Sequence, residues 1–155
     1  MATKPKHDPN TIADNRRARF DYEILDTYEA GVMLEGSEVK SIRNGAVQIN
    51  EAYVSVMGHE IFLIGAHIAK YANAGYAGHT DERRTRKLLL HAKEITNLKK
   101  EREAQGCTLI PLKLYWKNNR VKLRIGVAKG KKQHDKRASI KERDWNRQKQ
   151  RMFKG

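Results

Sequence analysis

The chain has 155 residues, with 32 Lys and Arg against 18 Asp and Glu, a net charge of +14 and a single cysteine. That length fits one domain with appendages, and clustered cations point to a polyanionic partner, because they release counterions from phosphates. One cysteine excludes an intrachain disulfide and a cysteine-based zinc site, and the six histidines show no i,i+2 or i,i+4 spacing, so no metal or cofactor is implied.

Residues 1–10 hold two of the three prolines and no apolar run, so a flexible N-terminus without a signal peptide is expected. The segment "TIADNRRARF" predicts one or two basic helical turns. From Phe20 to Leu34 the apolar positions recur mainly at period two, which predicts a long strand bent near Asp26 or Gly31. "GSEVKSIRNG" reads as a short helix capped by Ser37, with Val39 and Ile42 inward and Gly45 as its stop. "EAYVSVMGHEIFLIGAHI" predicts a hairpin turning at Met57–Glu60, and "YANAGYAGHTDERR" a loop. "TRKLLL" suggests a further strand, followed by a helix with Ile95 and Leu98 inward and Gly106 as its stop.

Two strands follow. In "LIPLKLYW" Leu112, Leu114 and Trp116 share one predicted face, with Lys113 and Tyr115 on the other. In "VKLRIGV" Val121, Leu123, Ile125 and Val127 alternate with Lys122 and Arg124. Asn118-Asn119 between the strands tolerates the positive φ of a tight turn. The fold class is therefore mainly β with short helices: an OB-like, closed or nearly closed antiparallel β-barrel over residues 11–128, a type that binds nucleic acid on one sheet face.

No nucleophile–base arrangement is legible, so an enzyme is not expected. Cys107 opens an apolar strand, where an inert buried thiol is the simpler reading. Glu29 and Glu38 sit in or beside apolar segments, either facing solvent or accepting hydrogen bonds from a base edge. Lys122 and Arg124 beside Lys113 and Tyr115 form a basic face bearing an aromatic ring, suited to phosphate contact and base stacking.

Residues 129–155 carry eleven Lys and Arg against three Asp and Glu, leaving +8 in the tail and +6 before it. Ser139-Ile140-Lys141-Glu142 matches a capping box, and Trp145, Gln148 and Met152 align on one helical stripe. So thin a stripe does not offset the entropy of ordering the segment. The tail is expected to be disordered alone and helical against a partner.

The motifs "YEAG", "EVKSIRNG", "RTRKLLL", "LYWKN" and "GVAKGKKQHDKRASIKERDWNRQKQRMFK" closely resemble the tmRNA-binding protein family (SsrA-binding protein, SmpB), in the right order from about Thr11 onward. The resemblance implies an OB-like barrel that binds the tRNA-like domain of tmRNA and carries it to stalled ribosomes for trans-translation. It implies a basic tail that becomes helical in the empty message channel, against ribosomal RNA of the small subunit. Asn15, Glu29 and Leu89 match family positions associated with tmRNA binding; Arg16 and Arg17 adjoin Asn15, and Lys122 and Arg124 join the set from the basic face. In the tail Gly130, Lys131 and Lys132 match the hinge; His134, Asp135, Lys136 and Arg137 match the decoding-centre segment; Trp145 and Met152 match the helix and its end. A cytoplasmic monomer without a membrane partner is expected, since no apolar run approaches ~18 residues. The rival readings are a general basic OB-type ribosomal RNA-binding protein or RNA chaperone, and a small nuclease, which no residue constellation supports.

Overall fold

The computed structural model describes residues 9–71, 78 and 81–130. The elements run β1 (Thr11–Asp14), α1 (Arg16–Asp21), β2 (Tyr22–Val32), α2 (Gly36–Arg43), β3 (Val47–Gln48), β4 (Tyr53–Met57), β5 (Glu60–Ile64), β6 (His67–Ile68), β7 (Arg86–Leu89), α3 (Ala92–Glu103), a 3-10 turn at Ala104–Gly106, β8 (Thr108–Lys117) and β9 (Arg120–Gly130). Seven strands form one antiparallel sheet in the order β1-β8-β9-β2-β7-β5-β4, and β3 pairs separately with β6. The fold is mainly β with a few short helices.

The expected closed or nearly closed barrel is corrected in one respect: the sheet is not closed. It coils until β4 packs against β8, but β8 already pairs with β1 on one edge and β9 on the other. The two edge strands of the sheet, β1 and β4, do not pair with each other. "TIADNRRARF" also differs from its reading as helix alone, because its first four residues form β1 before α1 begins.

Local chemistry explains most boundaries. The β8–β9 turn places Asn118 at φ 53° and Asn119 at φ 62°, the left-handed pair that a two-residue hairpin requires. Gly45, at φ 75°, is the expected glycine stop of α2; α3 instead ends at an extended Ala104, and Gly106, at φ 65°, closes the 3-10 turn that follows. The start of α2 differs from expectation. Its cap is Glu35, whose backbone N–H donates to Glu38 at 2.9 Å in a reciprocal capping box, while Ser37 is buried within the helix.

Two bulges set which face each side chain takes. β2 slips between Ile24 and Asp26, so Tyr22 and Ile24 turn outward while Tyr28, Ala30 and Val32 face the core. β8 slips between Pro111 and Lys113. Leu114 and Trp116 therefore join the main core, but Leu112 joins Ile110, Ala128 and Ala18 of α1 in a second cluster on the outer face. The expected common face for Leu112, Leu114 and Trp116 fails because an added residue reverses a period of two. Gly126 fits this cluster closely: a Cβ there would stand 2.9 Å from Leu112 Cδ1.

The main core centres on Ile61, Leu63, Leu88, Leu123 and Ile125, with Leu98 of α3 fully buried against it. Arg86 and Glu38 are also wholly buried. Arg86 Nε donates to Glu38 Oε2 at 2.6 Å and its Nη1 to the Ala66 carbonyl at 2.8 Å, while Arg84 reaches Glu38 Oε1. Burial pushes the Glu38 carboxyl up, but hydrogen bonds from Arg84, the Glu35 backbone and Arg86 outweigh it and hold it below the ordinary range. Glu38 thus neither faces solvent nor reaches a base; it ties α2 to β7.

Candidate RNA-binding surface

Register brings together residues far apart in sequence. Glu29 pairs with Arg124, which pairs with Lys113; Leu89 pairs with Gly31, which pairs with Lys122, which pairs with Tyr115. Two adjoining rows therefore cross β7, β2, β9 and β8 on the outer face. Four sequence-predicted positions, Glu29, Leu89, Lys122 and Arg124, stand in these rows. Leu89 is 51% exposed and stands on this surface.

Glu29 is held from two sides. The Tyr115 hydroxyl donates to Oε2 at 2.6 Å, and Lys117 Nζ donates to Oε1 at 3.1 Å and Oε2 at 3.3 Å. The Tyr115 hydrogen bond is the largest influence on the Glu29 carboxyl; with Lys117 and Lys122 it outweighs burial and keeps the group ionised below the ordinary range. Burial first, and then Glu29, push the Tyr115 phenol up to about 12. Arg124 lies 5.7 Å and Lys113 6.0 Å from the Tyr115 ring centroid, within cation–π range. The ring expected to stack on bases is thus engaged by cations, and its hydroxyl orients Glu29. Lys117 was missed by sequence reasoning, although it lies two residues beyond Tyr115 on the same strand face.

Asn15 stands elsewhere. It is 5% exposed; its Nδ2 donates to the Pro111 carbonyl at 3.0 Å, and its Oδ1 accepts from Ala18 N–H at 3.3 Å as the cap of α1. Its amide is spent on docking α1 to β8 and is not presented to the outer face. Arg16 and Arg17 are exposed on that helix, and Arg17 Nε lies 3.5 Å from Asp21. Since Ala18 packs on the outer side of β8 and β9, α1 covers one end of the face whose other end carries Glu29 and Leu89.

A cleft of about 870 Å³ opens beside Glu29, between β2, β7, the β8–β9 turn and the first turn of α3. Gly31, Met33, Leu89, Trp116, Arg120 and Lys122 are among its lining residues. Cys107 is half-buried against the core. Among the described residues no group of three or more His, Cys, Asp and Glu could hold a metal, and no helix is long and apolar enough to cross a membrane.

β9 continues through Lys129 and Gly130, which pair with Glu23 and Tyr22. The six steps from Arg124 to Gly130 span roughly 20 Å of strand, so β9 ends beside the C-terminus of α1, at the far end of the strand from the Arg124–Glu29 pair. Lys131, Lys132, His134, Asp135, Lys136, Arg137, Trp145 and Met152 lie outside the described residues.

The family model for SmpB protein matches residues 12–155. The SsrA-binding protein of Cupriavidus necator is 56% identical over 145 residues, covering 94% of this chain and 97% of the relative. That of Allorhizobium ampelinum is 54% identical over 144 residues, covering 92% and 90%, and that of a Psychrobacter species is 51% identical over 154 residues, covering 99% and 98%. A solved chain from "tmRNA-SmpB: a journey to the center of the bacterial ribosome" superposes with a TM-score of 0.64 at 46% identity, covering 77% of this chain and 84% of that one.

Proposed function

This chain belongs to the SmpB protein family, and from that premise we propose how its surfaces divide the work of an SsrA-binding protein. It binds tmRNA and acts with it on the ribosome in trans-translation, the rescue of stalled ribosomes. The observation that carries the reading of the site is the convergence of Glu29, Leu89, Lys122 and Arg124 on one sheet face.

In our reading the coiled sheet of residues 11–128 is an OB-like RNA-binding domain whose barrel stays open between β4 and β8. The tRNA-like domain of tmRNA lies across the outer face. Lys122 and Arg124 contact phosphates, which sets register but carries no sequence information. Glu29, oriented by Tyr115 and Lys117, accepts a hydrogen bond from a base or ribose donor. Asn15 works indirectly, by docking α1 so that Arg16 and Arg17 extend the basic surface. The tail, leaving beside α1, probes the vacant message channel through the hinge at Gly130, Lys131 and Lys132, the segment His134–Arg137 and the helix carrying Trp145 and Met152. The protein functions as a cytoplasmic RNA-binding partner and not as an enzyme.

RNA co-purified with the protein from cells should be enriched in tmRNA; recovery of bulk ribosomal RNA alone would favour a general RNA chaperone. Truncation after Gly130 should keep most affinity for the tRNA-like domain at moderate salt yet abolish peptide tagging on stalled ribosomes. A fall to non-specific affinity would move the binding site into the tail.

A further inference from the structure

The outer face is held together unevenly. β9, which carries Lys122 and Arg124, pairs with β2 at nine positions and with β8 at nine. β7, which carries Leu89, pairs with β2 only at Gly31 and Val32, and one further bond runs from Met33 N–H to the Lys87 carbonyl at 3.0 Å. The seam beside Glu29 is therefore the shortest of the ladders that join β7, β2, β9 and β8. The strands also come close there, since a Cβ at Gly31 would stand 3.3 Å from Leu89 Cβ.

A second connection spans the same two strands. α2 begins at Gly36, four residues after the end of β2 at Val32, and β7 begins at Arg86. Glu38 of that helix and Arg86 are both wholly buried. Arg86 Nε and Nη2 reach Glu38 Oε2 at 2.6 and 2.5 Å, while Arg84 Nη2 and the Glu35 N–H take Oε1 at 2.5 and 2.9 Å. Arg86 also donates to the carbonyls of Ala66 and Glu82, so three separate acceptors fix its guanidinium. Such a pair is a poor device for stability alone, because desolvating two charges offsets much of their attraction. Its strength is in fixing one arrangement against its neighbours, since any slip leaves a buried charge unpaired.

We propose that Glu38 and Arg86 are positioning residues for RNA binding: their pair clasps β7 to the end of β2 and sets where Leu89 stands beside Glu29. The proposal rests on the tmRNA-binding reading of this face. Neither side chain touches RNA, because both are fully enclosed. Leu89 lies three residues beyond Arg86, roughly 10 Å of strand, so a tilt of β7 at the clasp is carried to it. A one-residue slip of β7 would turn Leu89 inward and Leu88 out. Lys122 and Arg124 stand on the doubly laddered strand and are placed without the clasp.

The test measures affinity of the full chain for an in-vitro transcript of the tmRNA tRNA-like domain, with urea denaturation of each variant. Arg86→Lys keeps the charge but loses the planar fork that grips Glu38 and Ala66 together. It should weaken binding roughly two- to thirtyfold, the range for changes acting through a shared network. The slope of log K against log salt should stay unchanged, since no phosphate contact is lost. In this background Leu89→Ala should cost little further, whereas Lys122→Ala should cost as much as in the wild type. Leu112→Ala is the control: destabilised at the other end of the face, it should leave the cost of Leu89→Ala intact. Wild-type affinity for Arg86→Lys, or a full cost of Leu89→Ala in its background, would overturn the clasp and leave the surface reading standing. No effect of Leu89→Ala and Lys122→Ala in the wild-type chain would overturn both. Should Arg86→Lys not fold, Arg84→Met decides, because the Arg84 side chain is 33% exposed and its removal leaves the Glu38–Arg86 pair in place. A smaller loss with the same selective coupling to Leu89 supports the clasp; additive costs for Arg84→Met and Leu89→Ala overturn it.

Discussion

The outer face of β8, β9 and β2 is one surface with two contrasting ends. At one end Tyr22, Ile24, Ile110, Leu112 and Ala128 lie beneath Ala18 of α1. At the other, the same strands present Lys113, Tyr115, Lys117, Lys122, Arg124 and Glu29 to solvent and to one another. What separates the ends is a pair of one-residue slips in β2 and β8. Each turns an apolar run outward for a few residues, and a short helix then covers it. The covered end contributes stability through burial; the open end keeps its charges available for phosphate. Under the proposed function, one sheet face both anchors a helix and receives RNA.

The largest effect should come from cutting into the covered end. Leu112→Ala leaves a cavity under α1 and should cost about 2–5 kcal/mol of unfolding free energy, read by urea denaturation. Below its transition temperature this variant should still show the full effect of removing Glu29. An unchanged urea midpoint would mean that α1 is not anchored through this cluster.

The open end should respond in the opposite way. Glu29→Gln is expected to leave stability within about 0.5 kcal/mol and to weaken tmRNA binding by roughly 10- to 150-fold, the worth of a hydrogen bond to a charged group. Tyr115→Phe keeps the ring near Arg124 and Lys113 but removes the hydroxyl, so a loss of roughly two- to tenfold is expected. The two changes should not add, since Tyr115 acts through Glu29. Full additivity in a double-mutant cycle would show that Tyr115 touches the RNA independently.

The smallest effect is a pH dependence. Tyr28 and Tyr115 are both pushed up to about 12, each first by burial and then by a neighbouring carboxylate, Glu101 or Glu29. A folded value above the ordinary 10 means the unfolded chain loses these protons first. Their contribution is therefore full below pH 10 and is lost as pH rises toward about 12. Chemical denaturation across that window should show falling stability, and Tyr115→Phe should flatten part of the slope while Tyr28→Phe flattens another part. Equal slopes in wild type and both variants would mean that neither tyrosine contributes to the pH dependence.

Much of the fold is legible in the amino-acid sequence alone. The Asn118-Asn119 turn, the glycine stop at Gly45, the hairpin at Gly58-His59 and the alternation of β9 each depend on residues within a few positions of one another. Local sterics and a period of two decide them, so the sequence by itself determined these elements and the excess of positive charge. The phase of Leu112, the burial of Glu38 against Arg86 and the grip of Tyr115 on Glu29 belong to another class. Each depends on which strand lies alongside: Tyr115 and Glu29 are 86 residues apart, and Glu38 and Arg86 are 48 apart. A bulge has energetic meaning only against a partner strand, and a buried carboxylate is tolerable only once its guanidinium arrives. The tertiary structure alone decided these, because the stabilising interaction does not exist until distant segments meet.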